Sequence, residues 1–171
     1  VGDNFEQIRL VLDQCISTVD VILMTGGLGP THDDITPSVL YDYFKDKPEF
    51  DSDYWKNIEN YFKRRNLSVP EINKNQAWKS TIGKMISNPL GSARGLHYSL
   101  NNTSVYAMPG VPDEMKSMML RYVIPDILKN IKIELYVKTL RTIGKGESSI
   151  AEQSQPLIDT YSDSCSIAYL P

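Results

Sequence analysis

Two adjacent carboxylates follow a cluster of glycines in the first quarter of the chain. Gly26, Gly27 and Gly29 precede Asp33 and Asp34. Because glycine has no side chain, the backbone N–H groups of such a stretch can approach an anion at contact distance. Adjacent carboxylates are costly unless a cation or a proton relieves their repulsion. The pattern predicts a phosphate-binding loop; the alternative is a tight strand-to-helix turn that binds no ligand.

Two familiar phosphate motifs are absent from this loop. A P-loop requires a Lys-Ser/Thr pair after its last glycine, and none follows Gly29. The dinucleotide-binding pattern G-x-G-x-x-G fails because His32 stands at the position of the third glycine. The loop therefore does not belong to either of these classes.

The segments around the loop predict an α/β unit. Residues 21–24 are apolar, as expected for a strand buried on both faces of a parallel sheet. Downstream, Thr36 is predicted as the N-cap and Pro37 as the first residue of a helix, whose N–H groups would add to the anion site. Upstream, apolar residues at helical spacing predict an amphipathic helix from Phe5 to about Ser17.

A second loop of the same design follows later in the chain. Residues 105–108 predict a strand that pairs as a hairpin with residues 96–100. The strand runs into Pro109 and Gly110, and a helix with Glu114 in its first turn comes next. Two strand–loop–helix junctions at one edge of a parallel sheet would face a single crevice, where ligands bind in such folds.

Composition excludes several classes of function. The 171 residues are 41% hydrophobic and 23% charged, with a net charge of −3. This balance gives no reason to expect nucleic acid or an anionic membrane as a partner. No apolar run approaches the ~20 residues of a membrane span. The two cysteines lie far apart and suit a reducing compartment, so we expect a cytoplasmic protein.

The last forty residues change in pattern. Alternating residues from Lys132 to Thr139 predict a strand with one solvated face, a helix is expected after Ser148 to about Asp159, and residues 166–170 predict another strand. We therefore predict two domains. Residues 1–130 would form a nucleotide-binding domain, and residues 131–171 would begin a small, truncated α+β subdomain.

Four motifs in one order carry a resemblance to a known family. They are TGGLGPTHDDIT at 25–36, NPLGSARG at 88–95, MPGVPDEM at 108–115 and LRTIGKGES at 140–148. With them the chain resembles the N-terminal region of the competence/damage-inducible protein A (CinA) family, whose core is a molybdopterin-binding domain of the MogA and MoaB type. Arg94 departs from the pattern, because a proline is usual there.

The resemblance implies a fold and several possible functions. The implied fold is a three-layer α/β/α architecture with a mostly parallel sheet, here without the family's usual first strand. The implied reaction is metal-dependent hydrolysis of a nucleotide pyrophosphate such as ADP-ribose, with Mg²⁺ or Co²⁺ as cofactor, in a homo-oligomer. One alternative is a module that binds molybdopterin or a nucleotide without hydrolysis. Another is a non-catalytic oligomerisation platform for an amidase domain that acts on nicotinamide mononucleotide and is absent here.

The resemblance also assigns candidate site residues. Asp34, Asp3 and Glu114 are the catalytic candidates, and Asp33 and Asp34 are the metal candidates. On residue chemistry alone, Asp3 is better explained as a helix N-cap that forms a capping box with Glu6. The candidates for binding phosphate or nucleotide are Thr25, Gly26, Gly27, Gly29, Thr36, Asn88, Gly91, Ser92, Pro109 and Gly110.

Overall fold

A computed structural model of the chain describes residues 1–130 and 136–169. The chain divides into two compact units, Val1–Ile131 and Lys132–Pro171. Within the described ranges, no helix combines the length and the apolar character needed to cross a membrane.

The first unit alternates helices and strands. Its α-helices are α1 (Phe5–Cys15), α2 (Thr36–Tyr43), α3 (Ser52–Lys63), α4 (Pro112–Met118) and α5 (Ile124–Asn130). Its strands are β1 (Val21–Thr25), β2 (Glu49–Phe50), β3 (Trp78–Lys79), β4 (Lys84–Ile86), β5 (Gly95–Leu100) and β6 (Thr103–Met108). A 3₁₀ helix spans Glu71–Ala77, and a π-helical segment, Met119–Val123, joins α4 to α5.

The main sheet of the described chain is mixed, in the order β1-β6-β5-β4. Strand β1 runs parallel to β6, whereas β5 is antiparallel to both of its neighbours. The predicted hairpin of β5 and β6 is confirmed, and Asn101 and Asn102 form its tight turn with φ of 50° and 71°. The expected parallel arrangement therefore applies to the pair β1–β6, which carries both predicted loops.

Helices cover both faces of this sheet. On β6, Val105 and Ala107 pack in one core cluster with Leu12 of α1 and Leu40 of α2. The alternate residues of β6, Tyr106 and Met108, pack in a second cluster with Met118 and Val123. Full burial of an apolar side chain of this size is worth roughly 1.5–3 kcal/mol. The unit is a three-layer α/β/α domain, as predicted.

Strand β1 and helix α1 differ in detail from the prediction. Strand β1 is not buried on both faces, because Leu23 is 49% exposed. This strand ends the described sheet order, so β6 is its pairing partner on one side. Helix α1 ends at Cys15, two residues before the predicted end, and Ser17 takes a positive φ of 71°.

The second unit contains a single described helix, α6 (Glu147–Tyr161). It begins at Glu147, two residues before the predicted start, and runs two residues beyond the predicted end. The strand predicted from Lys132 lies partly outside the described residues, and its described part, residues 136–139, forms no strand. The strand predicted at residues 166–170 is likewise absent from its described part, residues 166–169.

Candidate functional site

The first glycine loop continues the pairing of β1 with β6. The N–H of Gly26 donates to the carbonyl oxygen of Met108 at 2.9 Å, one residue past the end of β1. The chain then turns through positive φ angles, 95° at Gly26 and 66° at Gly27, a conformation that glycine adopts at little cost. The loop is thus anchored to the sheet at its first residue.

Thr36 fixes the same loop from the helix side. The prediction that Thr36 is the N-cap of α2 is wrong, because Ile35 occupies that position and caps without a side-chain bond. Thr36 is instead buried in the first turn, where its hydroxyl donates to the Gly26 carbonyl at 3.1 Å. Its N–H donates to the Gly27 carbonyl at 3.2 Å. Thr36 therefore shapes the loop, and its donors are not available to an anion.

Three consecutive N–H groups remain open in the loop. Within the described residues, the N–H groups of Gly27, Leu28 and Gly29 donate to no other backbone or side-chain group. Successive free amides in a turn with positive φ form an anion-binding concavity. These three amides, and not the start of α2, are the donors that the structure offers to a phosphate.

Asp34 lies directly against this loop. Its Oδ2 accepts hydrogen bonds from the N–H of Thr31 at 2.9 Å and from the Thr31 hydroxyl at 2.6 Å. A Cβ on Gly29 would lie 2.5 Å from the same oxygen, so a larger residue there would displace the Asp34 carboxylate. Both bonds go to Oδ2, which leaves Oδ1 without a hydrogen bond from the described residues.

The neighbouring carboxylate is not part of this arrangement. The side chain of Asp33 is 64% exposed and pairs with the exposed His32, with 2.6 Å between Oδ1 and Nε2. Asp33 is not among the residues that line the cavity described below, whereas Asp34 is. Within residues 1–130 and 136–169, no three acidic, histidine or cysteine side chains form a metal-binding group.

Asp3 is exposed ahead of α1 and also lies outside the cavity lining. The capping interpretation of Asp3 is wrong, because Asn4 is the N-cap and its Oδ1 accepts from the Gln7 N–H at 2.9 Å. Thr25 ends β1 with an exposed side chain and does not line the cavity either. The structure therefore leaves these two candidates, Asp3 and Thr25, without a contact to the cavity.

The second loop closes the other side of the first. Gly110 approaches so near that a Cβ on it would lie 3.4 Å from the Cα of Gly26. Between the loops is a cavity of about 390 Å³, which confirms the prediction of one shared crevice. Its lining comprises Gly26, Gly27, Leu28, Gly29, Asp34, Gln76, Ser92, Ala93, Pro109, Gly110, Val111 and Glu114.

Glu114 is the second carboxylate of the cavity, and Asn88 holds it in place. The Nδ2 of Asn88 donates to Glu114 Oε2 at 2.7 Å and to the Ala93 carbonyl at 3.0 Å. The Oδ1 of Asn88 accepts from the N–H groups of Leu90 and Gly91. Both polar groups of the Asn88 side chain are thus engaged inside the protein, so this side chain positions Glu114 and is not itself a ligand of phosphate.

Gly91 fits against the same carboxylate, because a Cβ on it would lie 2.5 Å from both oxygens of Glu114. Ser92 lines the cavity, and its hydroxyl donates to Oε1 of Gln76 at 2.9 Å. Gln76 is not among the site residues predicted from the sequence. It lies in a polar stretch rich in Asn and Lys, and no local pattern distinguishes it from its neighbours.

Arg94 ties the loop of residues 88–95 to helix α3. Its guanidinium pairs with Asp51, the N-cap of α3, at 2.8 Å and stacks over the Tyr54 ring at 3.7 Å. Burial raises the pKa of Asp51, but hydrogen bonds from the Tyr54 N–H and from Arg94 outweigh it and lower the pKa overall. The Tyr54 hydroxyl also donates to the Ser92 carbonyl at 3.0 Å. This loop is thereby held beside the cavity.

A second cavity of about 310 Å³ lies between β4 and α5. His97 and Tyr106 line it with stacked rings, 4.2 Å between centroids. Burial, together with a hydrogen bond to Asp126, raises the pKa of Tyr106 to about 12. Burial lowers the pKa of His97. None of the predicted site residues lines this cavity.

The residues of the first unit match a known protein family. The sequence profile of the family described as “Probable molybdopterin binding domain” matches residues 1–129, and the chain belongs to this family. Its similarities place it with the CinA-like proteins of that family. A “Putative competence-damage inducible protein” of Caldicellulosiruptor bescii is 39% identical over 163 residues, which cover 95% of this chain and 40% of the relative.

Two further likenesses agree with this placement. The “Nicotinamide-nucleotide amidohydrolase PncC” of Shewanella oneidensis is 35% identical over 92% of this chain and 38% of its own length. The crystal structure of the protein CinA from Thermoplasma acidophilum, described as of unknown function, superposes with a TM-score of 0.62 at 26% identity. That match covers 73% of this chain and 72% of the other. The chain spans about two fifths of the curated relatives' length.

Proposed function

We propose that the cavity between the two loops hydrolyses a nucleotide diphosphate, with ADP-ribose as substrate and a divalent cation as cofactor. The observation that carries the proposal is the composition of the cavity wall. Open amides of the glycine loop meet the carboxylates of Asp34 and Glu114 there, and no Lys, Arg or His occurs among its described lining residues. A diphosphate would face two negative charges at this wall, so a cation is needed between them.

Asp34 is the residue that we propose holds the cation. Its Oδ1 is open, and Oδ2 is fixed by Thr31, so the carboxylate is already oriented. Mg²⁺ is commonly bound through one or two carboxylates and completes its coordination with water and substrate phosphates, so a cage of three acidic side chains is unnecessary. When bound, Mg²⁺ or Co²⁺ would neutralise charge on the phosphoryl oxygens.

Glu114 is suited to act as the general base. Asn88 occupies its Oε2, so Oε1 is the atom that can accept a proton from water. The water oxygen then attacks one phosphorus, the bond from that phosphorus to the bridging oxygen breaks, and the electron pair leaves with the second phosphate. The open amides of the glycine loop would hold the phosphoryl oxygens during this displacement. With ADP-ribose the products are AMP and ribose 5-phosphate.

The comparisons support the nucleotide part of this proposal. The relative from Shewanella oneidensis is named for hydrolysis of a nicotinamide nucleotide, and this chain spans 38% of it. The name says nothing about which part of that protein carries the activity, so the proposal rests on the cavity.

Asp34→Asn and Asp33→Asn form a matched pair that tests the proposal. We expect Asp34→Asn to lower the release of AMP from ADP-ribose with Mg²⁺ at least 100-fold, because the cation loses its carboxylate. Asp33→Asn should stay within about threefold of the parent, because the Asp33 side chain is exposed and pairs with His32. Asp34→Asn retains an oxygen that accepts from Thr31, so its unfolding free energy should change by less than about 1 kcal/mol. A folded, fully active Asp34→Asn variant would contradict the proposal.

The family description favours one alternative, a pterin-binding module without hydrolysis. Tight binding of a molybdopterin precursor, measured by calorimetry, with no release of AMP would support that alternative. Neither binding nor hydrolysis would support the third possibility, a non-catalytic platform for a partner domain.

A further inference from the structure

The lining of the cavity contains one side chain whose hydrogen bonds leave a donor unused. Gln76 lines the cavity and is half-buried in the 3₁₀ helix Glu71–Ala77. Its Oε1 accepts from the Ser92 hydroxyl at 2.9 Å and from Nδ2 of Asn73 at 3.0 Å. Asn73 is only 6% exposed, so this bond lies inside the protein.

These two bonds determine which end of the Gln76 amide can reach a ligand. With Asn73 oriented as in the structure, a flipped Gln76 amide would place its NH₂ group against the NH₂ group of Asn73, and two donors would meet without an acceptor. In this arrangement the oxygen of Gln76 is used by the protein. Within the described residues the Nε2 of Gln76 donates to no acceptor, so its N–H groups are the polar groups that Gln76 has left for a ligand.

Two hydrogen bonds of neighbouring residues fix the position of Gln76 relative to the glycine loop. The neighbouring Asn75 donates through Nδ2 to the carbonyl of Pro30, which follows that loop directly, at 3.1 Å. On the other side, the carbonyl of Ala77 accepts from the N–H of Asp51 at 2.8 Å. The short helix that carries Gln76 is thus hydrogen-bonded to the residue that follows the glycine loop and to the N-cap of helix α3.

We infer that Gln76 determines specificity for the organic part of the ligand, by donating a hydrogen bond to an oxygen of the sugar attached to the diphosphate. The inference rests on the proposed function, since the diphosphate must first lie on the amides of Gly27 to Gly29. The first group beyond a phosphate in a nucleotide is its sugar, and it has to fit into the same 390 Å³ cavity. An uncharged donor suits a sugar oxygen, which is a neutral acceptor.

The test compares two ligands that share the diphosphate and differ in the sugar. Binding of ADP-ribose and of inorganic pyrophosphate is measured by calorimetry with Mg²⁺, in a Glu114→Gln background that keeps ADP-ribose intact. Gln76→Met removes the donor without adding charge. Gln76→Glu keeps an oxygen for Asn73 and Ser92 but replaces the donor. Lys74→Met, an exposed change on the same 3₁₀ helix, is the control.

We expect both variants at Gln76 to bind ADP-ribose about tenfold more weakly. Gln76→Met and Lys74→Met should bind pyrophosphate within twofold of the parent. Unchanged affinity of Gln76→Met for ADP-ribose, or an equal loss for both ligands, would overturn the inference. If the parent binds neither ligand, the proposed function itself fails, and that result is distinct from both of these.

Discussion

The side-chain amide of Asn88 donates to the carboxylate of Glu114 across 26 residues of sequence, at 2.7 Å. The same amide supports the turn at Leu90 and Gly91 and contacts the carbonyl of Ala93. One buried side chain therefore connects the conformation of the 88–95 loop to the orientation of the second carboxylate of the site.

Asn88→Asp should lower the stability of the protein and remove the hydrogen bond that orients Glu114. The change removes both Nδ2 donors and places a second carboxylate against Glu114, so we expect the free energy of unfolding to fall by about 2 kcal/mol or more at pH 7. Urea denaturation measures this, with the exposed neighbouring change Ser87→Ala as a control within about 0.5 kcal/mol. The loss should shrink at acidic pH, where one carboxylate is protonated. A loss independent of pH would mean that repulsion from Glu114 is not its cause.

Asp46 is predicted to control stability in acid. It is 8% exposed and accepts from the hydroxyls of Ser80, Thr81 and Tyr98. Burial raises its pKa, but these bonds prevail and lower it from 3.8 to about 2. The stabilisation is complete above pH 3.8 and is lost as the pH falls towards 2, with a size of about 2 kcal/mol.

Asp46→Asn should therefore unfold more easily at pH 7 and lose less of its stability between pH 4 and pH 2 than the parent does. The matched change is Asp53→Asn, at a carboxylate whose side chain is 89% exposed and pairs with Lys56 at 3.1 Å. It should cost less than about 0.5 kcal/mol. Equal pH profiles for Asp46→Asn and the parent would rule out this role for Asp46.

Thr36→Val tests the support of the glycine loop. Valine has nearly the same shape but cannot donate to the Gly26 carbonyl, so we expect a loss of about 1 kcal/mol in unfolding free energy. Binding of pyrophosphate with Mg²⁺ should weaken as well, because the loop is less rigid. Thr36→Ser keeps the hydroxyl and should bind like the parent. If the two variants bind alike, the hydroxyl does not hold the loop.

Arg94→Lys tests the connection between the loop and α3. Lysine keeps the charge but loses the planar group that stacks on Tyr54 and pairs with Asp51, so we expect a loss of roughly 1–2 kcal/mol, measured by thermal or urea unfolding. Arg65→Lys is the control, because Arg65 stacks on Tyr61 at the same 3.7 Å but is exposed. Equal losses of unfolding free energy for the two variants would show that the buried ion pair of Arg94 with Asp51 does not contribute to stability.

Sequence alone was sufficient for features that depend on the local backbone. The glycine loop, the Pro109-Gly110 loop and the β5–β6 hairpin follow from residues that turn the chain or restrict φ, and these preferences act within a few positions. Because β1 and β6 are neighbours, the shared crevice followed as well.

Side-chain partners distant in sequence could not be predicted in the same way. The sequence predicts Thr36 as a cap because threonine is a common N-cap residue. In the structure its hydroxyl instead donates to the carbonyl of Gly26, ten residues earlier in the chain. Asn4 took the cap expected of Asp3, since a shift of one residue satisfies the same pattern. The engagement of Asn88 with Glu114 and the exposure of Gln76 to the cavity depend on tertiary packing, for which a single sequence carries no signal.

The hydrogen bond from the Gly26 N–H to the Met108 carbonyl belongs both to the glycine loop and to the pairing of β1 with β6. Motions of the loop are consequently coupled to separation of β1 from β6, and hydrogen exchange at Gly26 should be as slow as exchange at Met24, whose N–H faces β6 in the same register. Under the proposed function, the loop would not need to become ordered when a diphosphate binds. It would lose its conformation only when the sheet itself begins to open.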